Sequence, residues 1–113
     1  MAAMTTALTE FSDNGTSRTY TYTGHTAVEP RLVLQKRKVA TGSTSVLEDI
    51  VSVVSSTEDS AGELLQSKVL FEVKVRRPAN GIAADVTAAL AIIRDIIAGD
   101  EFTNTVSTQE WLV

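Results

Sequence analysis

The chain has 113 residues and a net charge of −4, with 43% hydrophobic, 5% aromatic and no cysteine residues. That length suits one domain, and the scarcity of aromatic residues implies a core built from Val, Ile, Leu and Ala. Without cysteine, disulfides, thiolate metal sites and cysteine nucleophiles are excluded. The opening "MAAMTTALTEFSDNG" lacks the basic flank and apolar run of a signal peptide, so a cytoplasmic location is expected. The most apolar segment, "IAADVTAALAIIRDIIA", is too short to span a bilayer and carries Asp85, Arg94 and Asp95.

Apolar residues recur with period two as far as Pro78 and with a period near 3.6 after it, which divides the architecture. Met4 to Phe11 and Thr16 to Thr23 form a candidate hairpin whose Asn14-Gly15 suits a turn needing positive φ. A long strand is expected over Arg31 to Ala40, turned by Thr41-Gly42 and returned by Thr44 to Ser56. After the acidic, small-residue loop "TEDSAGE" comes a fifth strand, from about Leu64 to Arg77. The sum is five antiparallel strands in sequence.

A helix is expected from Ile82, about 25 Å long and closed by Gly99 as its C-terminal cap. Ile82, Val86, Ala89, Leu90, Ile93 and Ile97 make one apolar stripe, yet Ala88, Ala91, Ile92 and Ile96 line most of the other side. A surface helix should be half polar. One face can pack on a sheet, so the second calls for another cover, and a second copy of the chain is the simplest. The tail adds Phe102, Val106, Trp111 and Leu112, with a short turn capped by Ser107 and Glu110.

Eight of the ten basic residues fall in two strands, Arg31, Lys36, Arg37 and Lys38 in one and Lys68, Lys74, Arg76 and Arg77 in the other. If the helix covers the face of Val69, Phe71, Val73 and Val75, then Lys68, Lys74 and Arg76 lie on the open face. With Leu32 and Leu34 assigned to the covered side, Arg31, Gln35 and Arg37 join them. Such a basic, helix-free face suits phosphate, since affinity for polyanions follows gathered Lys and Arg rather than net charge. It equally suits a solvated face on which lysines oppose aggregation. Catalysis gains little support: His25 is the only histidine, and the neighbours Glu48 and Asp49 would point to opposite faces of a strand. No phosphate-binding glycine loop or Gly-x-Ser-x-Gly is present, and no cofactor or metal is expected.

The order of these segments, with "RLVLQKRKV", a long return strand, an acidic loop, "KVLFEVKVRRP" and a C-terminal helix, resembles the coat proteins of single-stranded RNA bacteriophages. The resemblance covers nearly the whole chain. It implies an α+β fold, an antiparallel sheet with an N-terminal hairpin followed by a C-terminal α-helix, completed by an intertwined homodimer. Two sheets would join edge to edge, each helix would lie across the partner's sheet, and Leu90, Ile92, Ile93 and Ile96 would sit at the dimer interface. It further implies an icosahedral shell assembled in the bacterial cytoplasm and no membrane. Ser60, Ala61 and Gly62 would lie at inter-dimer contacts, where small residues let the loop take more than one conformation. Single-stranded RNA would meet the inner face, with Arg31, Gln35, Arg37, Lys68, Lys74 and Arg76 in the matching positions. The strand 44–56 has Glu48 and Asp49 but no basic residue, so general RNA contact is expected, and a grip on one particular RNA hairpin stays open. The alternative is a small dimeric nucleic-acid-binding regulator or antitoxin, which shares the basic strands and the dimer-forming helix. It is disfavoured because Arg18 is the only basic residue among the first thirty.

Overall fold

The computed structural model describes residues 3–39, 42 and 46–113. The chain divides into two units, Met1–Ala79 and Asn80–Val113. The first is one antiparallel sheet of five strands, β1 (Thr9–Asp13), β2 (Ser17–Thr21), β3 (Arg31–Lys38), β4 (Val46–Ser55) and β5 (Val69–Pro78). Their spatial order equals their sequence order, each strand pairing with its neighbour in the chain. The strands are shorter than the alternating pattern suggests: Met4 to Leu8 and Leu64 to Lys68 lie outside them, while part of the Thr41-Gly42 turn and the start of the Thr44 to Ser56 segment lie outside the described residues.

The β1–β2 turn has the expected chemistry. Gly15 takes a φ of 89°, where a Cβ would be strained, and its N–H donates to Asp13 Oδ1 at 2.8 Å. Asn14 Oδ1 accepts from the Ser17 N–H at 3.1 Å and closes the turn. A register shift between Glu10 and Ser12 leaves Phe11 as the bulged residue, its ring edge-on to His25 at a centroid distance of 6.1 Å.

The second unit holds α1 (Ala83–Ala98) and α2 (Asp100–Thr108). The stretch after Gly99 is thus a helix and not a short turn closed by Ser107 and Glu110. Asp100 and Glu101 occupy its first turn, where carboxylates face the positive end of the helix dipole. Its end is set by Gln109, in the left-handed conformation at φ 58°, with Thr105 Oγ1 donating to the Glu110 carbonyl at 2.7 Å. Gly99 is not a left-handed cap: its φ is −80°, and it is the extended residue between the two helices.

Among the described residues no apolar side chain is buried, and Ser52 is the one buried polar residue. With 43% hydrophobic content in the sequence and no apolar side chain fully buried among the described residues, the single chain has no closed core there.

Candidate nucleic-acid interface

In an antiparallel sheet, directly paired residues project from the same face. From β3 through β5 the pairs run Leu32–Val54–Leu70, Leu34–Ser52–Glu72, Lys36–Ile50–Lys74 and Lys38–Glu48–Arg76. Even-numbered residues therefore share one face across three strands. The odd face carries Arg31–Ser55–Val69, Val33–Val53–Phe71, Gln35–Val51–Val73 and Arg37–Asp49–Val75.

This register corrects the expectation of a single basic face. Arg31, Gln35 and Arg37 share the face of Val69, Phe71, Val73 and Val75, opposite to Lys74 and Arg76. The assignment of Leu32 and Leu34 to the side of Val69 fails by one residue, and a slip of one residue reverses every side chain. Lys68 precedes β5 and belongs to no strand. Sequence reasoning also missed Lys36 and Lys38, which do share the face of Lys74 and Arg76. Glu48 and Asp49 point to opposite faces, as alternation requires.

On the even face, Glu48 stands in one row between Lys38 and Arg76. Its Oε2 lies 3.4 Å from Arg76 Nε and its Oε1 3.6 Å from Lys74 Nζ. The carboxylate is 28% exposed while Lys74 and Arg76 are 51% and 64% exposed, so the cations reach outward past it. Glu72 is held differently, accepting from Ser52 Oγ at 3.1 Å. Among the described residues Lys36 and Lys38 make no ion pair, which leaves their charges available to an anion.

On the odd face, polar groups of Arg18, Tyr20, Arg31 and Gln35 make internal contacts. The Arg31 N–H donates to His25 Nδ1 at 3.0 Å, and Arg31 Nη1 lies 3.5 Å from Ser55 Oγ. A Cβ on Gly24, where φ is 97°, would come within 2.8 Å of Arg31 Nε, so this glycine gives the guanidinium its place. His25 is therefore an acceptor that fixes the loop before β3. Tyr20 donates its hydroxyl to Gln35 Oε1 at 3.3 Å, and Arg18 Nε pairs with Asp13 at 3.2 Å. Arg18 is held further toward its charged form by Tyr20 first and by Asp13 next. Arg18, Tyr20, Gln35 and Arg37 border a depression of ≈ 120 Å³, below the roughly 300 Å³ at which small-molecule sites begin.

The loop between β4 and β5 is built on Asp59. Its Oδ1 accepts from the Ala61 and Glu63 N–H groups at 2.9 and 3.0 Å, and its own N–H donates to the Glu63 carbonyl at 2.9 Å. Gly62 supplies the left-handed residue, at φ 84°.

No family model matches the chain, and no curated protein matches it. Solved structures do. The virus-like particle of Wenzhou levi-like virus 4 superposes at a TM-score of 0.80 over 96% of this chain and 79% of its own, at 12% identity. The virus-like particle of bacteriophage GQ-907 gives 0.71 over 98% and 87%, at 11% identity. The bacteriophage EMS014 coat protein gives 0.55 over 87% and 76%, at 14% identity. The five-stranded antiparallel sheet followed by two C-terminal helices is the fold of the levi-like virus coat proteins.

Proposed function

We propose that this chain is the coat subunit of a single-stranded RNA phage, which dimerises, closes into an icosahedral shell in the bacterial cytoplasm and encloses RNA against the even-numbered sheet face. The observation that carries the reading is the fold shared over 96% of the chain with a particle-forming protein.

The dimer follows from what the single chain leaves uncovered. β5 is an edge strand of ten residues, and a second β5 would satisfy its free backbone groups and make one continuous sheet. The odd face presents Val51, Phe71, Val73 and Val75 to solvent, and α1 presents Leu90, Ile92, Ile93 and Ile97. Two unpartnered apolar surfaces from two copies complete each other, with Ile96 on the same helix. The helical unit carries Asp85, Asp95, Asp100, Glu101 and Glu110 against the single cation Arg94, so it offers phosphate no gathered cations. That leaves Lys36, Lys38, Lys74 and Arg76 facing inward. Contacts between dimers fall to Ser60, Ala61 and Gly62, at the tip of the Asp59 loop.

Electron microscopy of the protein expressed alone in bacteria tests this reading. Uniform hollow particles containing nuclease-protected host RNA are expected, because phosphate contact needs no particular sequence. Dimers without particles would favour a regulator, and particles without RNA would remove the inward assignment of the even face.

A further inference from the structure

We propose that Glu48 is a built-in competitor for RNA phosphate: in the free subunit its carboxylate holds the anion position between Lys74 and Arg76, and phosphate must displace it. The inference rests on the RNA-facing assignment of the even sheet face. Each carboxylate oxygen takes a different cation, Oε1 with Lys74 Nζ at 3.6 Å and Oε2 with Arg76 Nε at 3.4 Å, while Lys38 is its direct neighbour on β3. A phosphodiester also offers two anionic oxygens, so it can take up the same cations in the same arrangement. The exchange is feasible because both cations are more than half exposed, and ion pairs in water are weak.

Glu48 is not placed there for want of an alternative. The other carboxylate of this face, on Glu72, is turned to Ser52 and makes no ion pair among the described residues. β4 contributes no cation of its own, so its one contribution to the charge of this face subtracts from it. The consequence is a subunit that binds RNA weakly by itself and strongly only when many copies act together, since linked weak contacts multiply. Packaging is thereby tied to assembly.

The test measures binding of a short oligouridylate to the full chain, kept below the concentration at which it assembles, across a range of salt, by fluorescence anisotropy. Glu48→Gln should tighten binding about two- to thirtyfold at low salt, the range set by releasing two exposed ion pairs. Its dependence on salt should steepen by about 0.7 in log–log slope for each cation released to phosphate. Glu10→Gln, the same charge change on the odd face, should leave affinity within about twofold. Equal gains from both variants would show a diffuse field and overturn the proposal, and weaker binding by Glu48→Gln would show that Glu48 orients the cations instead. Lys74→Gln with Arg76→Gln should cost more in the Glu48→Gln background than in the parent; equal costs would overturn the proposal without depending on absolute affinities. Parent dimers that bind with unchanged strength after Glu48→Gln would sink the competitor alone, whereas parent and variants that all fail to bind RNA would sink the RNA face with it. Thermal melting separates either result from misfolding, and if Glu48→Gln does not fold, Lys74→Gln in the parent decides: a loss under about fivefold supports a cation already engaged, and a larger loss refutes it.

Discussion

Replacing Ile92 by Ala should weaken the dimer by about three to four orders of magnitude. Ile92 lies near the middle of α1 and is 63% exposed in the single chain, which leaves roughly 120 Å² of its surface for a partner to cover. At about 25 cal/mol per Å², full burial contributes about 3 kcal/mol, of which truncation to Ala removes about two thirds. Incomplete collapse around the truncated side chain adds to the loss, as in other core truncations. Twofold symmetry doubles the effect, giving about 4–6 kcal/mol per dimer, and each 1.4 kcal/mol is a factor of ten in the dissociation constant. Sedimentation equilibrium and far-ultraviolet circular dichroism, followed on the same samples over a dilution series, measure association and folding together. Because no apolar side chain of the described residues is buried within one chain, dissociation and loss of ordered structure should coincide. Arg94→Ala, on the same helix, should change neither. A dimer constant for Ile92→Ala within tenfold of the parent, or a compact folded monomer at micromolar concentration, would refute the shared core.

Lys36→Gln with Lys38→Gln should lower the salt slope of single-stranded RNA binding by about 0.7 for each phosphate no longer neutralised, while Arg31→Gln with Arg37→Gln, on the odd face, should leave it unchanged; the reverse pattern would show that the faces are exchanged. Deleting Ser60, Ala61 and Gly62 should leave dimers intact by sedimentation yet abolish or alter the particles seen by electron microscopy, and unchanged particles would remove the loop from the inter-dimer contacts. Asp59→Ala, which strips two backbone N–H groups of their acceptor, should lower loop protection in hydrogen exchange while the protection of β3 and β4 persists. Gly24→Ala should destabilise the sheet by about 1–3 kcal/mol in denaturant unfolding, because the new Cβ is strained at φ 97° and displaces the Arg31 side chain.

The sequence alone determined what is local. Alternation in "KVLFEVKVRRP" makes a strand wherever its neighbours lie, Asn14-Gly15 makes a turn because its own backbone requires it, and the apolar girth of α1 calls for cover on more than one side. The change of period at Pro78 divided strands from helices for the same reason. The helix α2 was less legible, since its nine residues are mostly polar and its signal lies in the carboxylates of the first turn. What only the tertiary structure decided is which residues meet across strands. Alternation assigns each strand two faces but never says which face of one strand matches which face of the next. That choice is fixed by the pairing register, and a shift of one position moves a whole strand's charges to the other side. Thus Lys36 and Lys38 stand with Lys74 and Arg76, Arg31 turns away to Ser55, and Glu48, which in the sequence was only an acidic residue on the wrong strand, stands among cations drawn from both of its neighbours.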